Sequence, residues 1–185
     1  YQIFVRDREV DLEDLDFPTH LLPINQFYNL ANFVTMQGAG TNAQPFKTVA
    51  DYDAWLARAG LVPVLFDQAI ANMREGMAQG VVQPRVLMEK VLPQLDQQIG
   101  AKAEDSVLWG PIAKLPEDFS AEDRTRLTAA YTALIMDTLQ PAYAKLRAFI
   151  AEACERLGAS LPALLRERIA GLGLAVPGEL WNWEE

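Results

Sequence analysis

Apolar residues recur at helical spacing along most of this chain, and glycine or proline marks the breaks between runs. From residue 48 onward, Val49, Tyr52, Leu56 and Ala59 follow steps of 3, 4 and 3, which places them on one helical face. Thr48 stands at the N-cap, Asp51 three residues later completes a capping box, and Gly60 ends the helix. A second run, Phe66, Ile70, Met73 and Met77, has Pro63 in its first turn. Its stop is Gly80, the residue type favoured in the left-handed conformation just past a helix end. The third helix begins at Pro84 and carries Met88, Val91, Leu95 and Ile99 to Gly100, with Pro93 inside it as the source of a kink.

The longest helix is expected after Ser120, whose capping partner is Asp123. Leu127, Tyr131, Leu134 and Thr138 form its first stripe, and Leu139, Tyr143, Leu146 and Ile150 repeat the same steps. Pro141, just after the second run begins, should bend this helix without ending it. A last short helix runs from Leu161 to about Ala170 by its apolar spacing, closed by Gly171 and Gly173. Elsewhere the pattern is looser. Residues 1–20 read as a short helix broken at Pro18, and residues 21–47 as a long structured loop around one or two helical turns. Residues 101–119 form a surface connection that tucks Leu108, Trp109 and Phe119 inward.

No β alternation and no fixed repeat interrupts this picture, so the fold class is all-α. The expected architecture is an antiparallel helical array with one long kinked helix, its neighbours joined by turns such as Gly60–Pro63 and Gly80–Pro84. Three stretches organise it as one domain: 1–47, the N-terminal helix and irregular loop; 48–157, the helical core; and 158–185, a short helix and tail. A first residue of Tyr1, followed by Arg6, Asp7, Arg8 and Glu9, suggests a piece or a processed form of a larger protein.

Composition narrows the function classes. Half of the 185 residues are hydrophobic, enough for a packed core. A formal charge of −9, with the basic residues scattered, offers no stripe for phosphate contacts and argues against a nucleic-acid partner. No uninterrupted apolar run approaches the roughly 20 residues of a membrane span. The single cysteine, Cys154, leaves the compartment open between periplasm and cytoplasm.

Candidate chemistry is sparse. His20 is the only histidine, which excludes a two-histidine zinc helix. Cys154 has no neighbouring histidine and reads as a buried, inert thiol. The stretch "QGAGTNAQ" lacks both the dinucleotide fingerprint and a phosphate-loop lysine. Asp51 with Asp53 and the adjacent Glu104 and Asp105 read as solvated carboxylates, since a general acid–base pair must converge across a site. Trp55, Trp109, Trp181, Trp183, Met73 and Met77 could line a groove, although core packing is the default for such side chains. Arg85 is the one candidate for substrate binding. It sits in the first turn of a helix, where the dipole opposes a cation, so its placement calls for a carboxylate partner.

Four segments then carry a resemblance: "HLLPINQ" (20–26), "QPFKTVADYDAWLARAG" (44–60), "FDQAIANMREGMAQGVVQPRVLMEKVLPQLD" (66–96) and "LQPAYAKLRAFI" (139–150). Together, over most of residues 1–150, they resemble the bacterial domain-of-unknown-function 885 family, itself similar to helical zinc metallopeptidases. The resemblance implies a helical scaffold or substrate-channel portion of a longer, zinc-dependent peptidase-like protein. In that family the H-E-x-x-H helix lies C-terminal to the matched region, and this sequence contains no such motif. No catalytic residue, metal ligand or cofactor is therefore assigned to this chain; zinc belongs to the implied parent. The partners implied are the parent's C-terminal part or a peptide. A free-standing, non-enzymatic binding module is the alternative.

Overall fold

In the computed structural model, which describes residues 18–27, 29–42 and 44–171, regular structure is helical apart from one isolated bridge between Ile24 and Asn29. A 3-10 turn at Thr19–Leu21 leads to α1 (Leu30–Gly38), α2 (Val49–Ala59), α3 (Val62–Gln79) and α4 (Arg85–Asp96). Two more 3-10 turns, Ala103–Asp105 and Val107–Trp109, and the short α5 (Gly110–Ala113) follow. The chain ends its described course in α6 (Ala121–Ala133), a π-helical segment (Leu134–Leu139) and α7 (Gln140–Gly171). The all-α reading holds. The helix expected before Pro18 and the tail after Gly171 lie outside the described residues.

The capping box of α2 forms in both directions. The Thr48 hydroxyl accepts from the Asp51 N–H at 3.3 Å, while the Asp51 carboxylate accepts from the backbone N–H groups of Thr48 at 2.8 Å and Lys47 at 3.0 Å. These donors hold the Asp51 carboxyl below its ordinary 3.8. A depressed acid stabilises the fold fully above its unfolded pKa and loses that contribution as pH falls through the lower, folded value. Two outcomes are expected from chemical denaturation. Thr48→Ala lowers stability by about 1 kcal/mol. Asp51→Asn lowers it at pH 7, and the gap to wild type closes as pH drops below 3.8.

Gly60 and Leu61 are both right-handed, with φ of −60° and −90°, so the chain bends there without reversing. The expected antiparallel turn at Gly60–Pro63 is thus a kink within one unit, Val49–Gln79. That 31-residue unit is, among the described residues, the one helix long and apolar enough to cross a membrane, with a mean hydropathy of 1.2 over its best window. Counting uninterrupted runs misses it because isolated charges break the runs without much lowering the average. Its apolarity has a use in the core, where Tyr52, Trp55, Phe66, Ile70 and Met73 are buried.

Gly80 is left-handed at φ 75°, and the Val81 N–H bonds back to the Gly76 carbonyl at 2.8 Å, so α3 has a true stop before α4 begins. Pro84 caps α4 from outside at ψ 137°. The helix stops at Asp96, short of Ile99. Its last turn tightens, with Gln98 and Ile99 N–H groups bonding to Leu95 and Asp96 carbonyls three residues back.

Before α6 the Ser120 hydroxyl accepts from the Asp123 N–H at 3.0 Å and donates to the Asp123 carboxylate at 2.7 Å. The long helix then changes register. In the π segment the Gln140 N–H reaches Ile135, five residues back, which accommodates Pro141 and its missing N–H. One surplus residue enters the stripe: after Leu134 the next fully buried position is Ile135 and then Leu139, while Thr138 is only half-buried. Beyond Pro141, α7 continues to Gly171 without the break expected near residue 158, so the short C-terminal helix is the end of a longer one.

The long helix is the spine of the core. Leu127, Tyr131, Leu139, Tyr143, Leu146 and Ile150 point inward from it, and α4 and α3 pack along α7. Exposed bidentate pairs fix the neighbours' register, Arg147 on Asp96 at 2.7 and 3.3 Å and Arg126 on Asp53 at 2.7 and 3.1 Å. Polar contacts dock α1. Asn29 caps it by accepting from the Ala31 N–H, and the Asn29 and Asn32 amides both donate to Gln94 of α4.

Candidate binding groove

A glycine makes the groove. At Gly76, a Cβ would stand 2.5 Å from the Val81 carbonyl oxygen and 3.2 Å from that of Leu21. Without it, the turn after α3 folds back over the helix end and the 3-10 turn at Thr19–Leu21 lies beside it. The His20 carbonyl accepts from the Asn72 amide at 3.0 Å and pins this approach. Between the three elements a shallow apolar groove remains, open to solvent, with a cavity volume of about 30 Å³.

Each wall comes from a different part of the sequence. Leu21, Leu22 and Ile24 form one; Met73 and Met77 of α3 with Val81 and Val82 form the second; Met88 of α4 and Phe149, Ile150 and Ala153 of α7 close the third. Gln83 is the one polar side chain in the lining. Three methionines give the walls soft, unbranched surfaces that adapt to an apolar guest. Nothing in the lining titrates, so the groove offers no acid, base or nucleophile.

The candidate residues divide around it. Met73 and Met77 line the groove and also pack on the core. Trp55 is buried and Trp109 partly so, both as packing groups; Trp181 and Trp183 lie outside the described residues. Arg85 finds its carboxylate within its own helix, Glu89 at 2.7 Å, both side chains about half exposed. That bond holds the guanidinium's pKa up. Arg74 lies over the Phe149 ring at 5.3 Å. His20 is exposed. Cys154 is buried next to Ala153, and burial pushes its thiol pKa up, which suits an inert thiol. Asp53 turns away from Asp51 to Arg126, and no trio of His, Cys, Asp or Glu among the described residues is placed to share a metal ion.

Sequence periodicity could find Met73, Met77, Met88 and Ile150, because they belong to helical stripes. Leu21, Leu22, Val81 and Val82 escaped it, being in turns. Their signal was the residue type alone, since a glycine stop and a proline start explain the hinge at 80–84 but not two consecutive valines inside it.

Comparison with known proteins adds one result. No curated protein and no solved structure matches this chain. Residues 1–163 match the family described as bacterial protein of unknown function (DUF885), which covers all three groove walls. The chain belongs to that family.

Proposed function

We propose that this chain is the helical scaffold portion of a longer, zinc-dependent peptidase-like protein, and that its groove is part of the wall along which substrate passes. The observation supporting this is convergence. Eleven of the twelve lining residues, all but Ala153, fall in three of the segments that resemble the family, at 20–26, 66–96 and 139–150. An apolar lining without titratable groups suits contact with substrate side chains, with bond cleavage and zinc supplied by residues outside these 185. Arg85, two residues beyond the groove's Gln83, would exchange Glu89 for a substrate carboxylate.

The test begins with the gene. Reading past residue 185 should reveal a downstream H-E-x-x-H, and the full-length protein should hydrolyse peptides in a zinc-dependent manner. In that protein Val82→Asp is expected to raise KM for apolar peptides about tenfold, the scale of one lost hydrophobic contact, with zinc content unchanged. An open reading frame without the motif would sink the reading. The methionine lining also favours a second one, a free-standing module that binds apolar peptides. That module would bind peptide as the 185-residue chain, without zinc.

A further inference from the structure

Acidic residues outnumber basic ones in this sequence by 25 to 16, so carboxylates are in surplus for any arginine. Among the described residues, nearly every arginine finds an oxygen. Arg85, Arg126, Arg147 and Arg156 pair with carboxylates, Arg58 donates to the Gln44 side chain, and Arg124 donates to backbone carbonyls. Arg74 does none of these. Its guanidinium lies 5.3 Å from the centre of the Phe149 ring, a side chain of the groove wall, and the residue before it, Met73, lines the groove as well. The carboxylates nearest to this pair in sequence are engaged elsewhere. Glu75 accepts from the Gln79 amide at 2.9 Å, Asp67 holds Lys145 at 2.6 Å, and Glu152 holds Arg156 at 3.7 Å. An exposed cation is thus held against a wall residue of an apolar groove, with its hydrogen-bond donors unused among the described residues.

We infer that the groove binds the C-terminal residue of a peptide, with its apolar side chain against Met73, Met77 and Phe149 and its α-carboxylate on Arg74. This rests on the reading of the groove as a substrate contact and names the class of substrate. Charge complementarity selects the occupant, because a guanidinium fork matches a carboxylate with two parallel hydrogen bonds. Adjacency selects which carboxylate. The cation sits on a ring of the groove itself, so the anion and the apolar group must lie close together, and an α-carboxylate is bonded to the same carbon as its own side chain. An acidic neighbour within an extended peptide would project from the opposite face of the chain. A volume of about 30 Å³ fits on the order of two water-sized groups, the branch of a valine and not an aromatic ring. Arg85 must release Glu89 before it takes an anion, whereas Arg74 has no such partner to release.

Peptide binding to the full-length protein tests this, followed by fluorescence anisotropy with a chelator present so that no hydrolysis is needed. Two N-terminally labelled peptides ending in Gly-Gly-Val are compared, one with a free C-terminal carboxylate and one amidated. The free acid should bind about fivefold tighter, the scale of one exposed charge pair. In Arg74→Gln, checked for unchanged helical circular dichroism, that preference should vanish while the affinity for the amide stays the same. Arg74→Lys should keep part of it, having the charge without the fork. Val82→Asp should weaken both peptides. Equal affinity for acid and amide, a preference that survives Arg74→Gln, indifference to Val82→Asp, or no binding of either peptide would each overturn the inference. So would tighter binding of an amidated peptide with an internal acidic residue. A protein that shows the preference but hydrolyses nothing once zinc is restored would count against the peptidase reading and leave this one standing.

Discussion

Tyr143→Ala is expected to cost about 3–5 kcal/mol of unfolding free energy, the range for truncating a fully buried aromatic residue. The ring is completely buried and meets Phe66 edge-on at 5.1 Å, joining α7 to α3. Its hydroxyl donates to the Ala31 carbonyl at 2.9 Å and lies 2.9 Å from the Thr35 hydroxyl, joining α7 to α1. Removing the side chain opens a cavity at a three-helix junction and strips two polar partners at once. Tyr143→Phe separates the contributions: it keeps the ring and should cost only about 1–2 kcal/mol, the worth of the lost hydrogen bonding. Burial pushes the Tyr143 pKa up to about 12, so the native state keeps it neutral while the unfolded chain begins to ionise near 10. The associated stability is intact below 10 and lost as pH rises through the folded value, a loss that Tyr143→Phe would not show. Denaturant titrations at pH 7 and above pH 10 measure both effects. A cost below 1 kcal/mol for Tyr143→Ala would contradict the junction described here.

Gly76→Ala should cost about 2–3 kcal/mol, toward the upper end for overpacking. The new methyl would meet the Val81 carbonyl oxygen, part of a backbone turn that cannot swing aside as a side chain can. Val81 is itself tied to the Gly76 carbonyl, so relief of the clash breaks the turn after α3. By contrast Gly80→Ala meets open space, and its penalty is confined to the left-handed backbone. The two variants therefore differ in consequence. Gly76→Ala should displace Leu21 and Val81 and distort the groove, visible as altered chemical shifts of the Met73 and Met77 methyl groups. Gly80→Ala should lower stability with those shifts largely retained.

The features legible in the sequence are those whose cause lies within a few residues. Thr48 and Asp51 met as expected because a capping box closes within one turn. Gly80 and Pro84 bounded their helices for the same reason. Where a signal needs its neighbours, the reading faltered. Gly60 permits a left-handed stop, yet the buried stripes on both sides of it continue into one core, and the chain bends through in right-handed geometry. The short helix expected from Leu161 was read from its apolar spacing alone, and the helix that begins at Gln140 runs through to Gly171. As for the groove, its walls lie at residues 21–24, 73–88 and 149–153, separated by dozens of residues, and no local pattern can report that they meet. The valines at 81 and 82 were visible only as a remainder.

The π segment had been written into the sequence as a phase slip, since the first stripe ends at Leu134 and Thr138 while the second restarts at Leu139. A helix that stores one extra residue in this way can change length cheaply. Deleting a single position such as Asp137, exposed and central to the segment, would let the ordinary four-residue bonding close across the gap. Leu134 would then be followed at four residues by the present Leu139, and the helix faces on either side would stay in place. Length variation by one residue among natural or engineered versions of this protein should therefore be absorbed at 134–139, with α6 and α7 each keeping the contacts they already make.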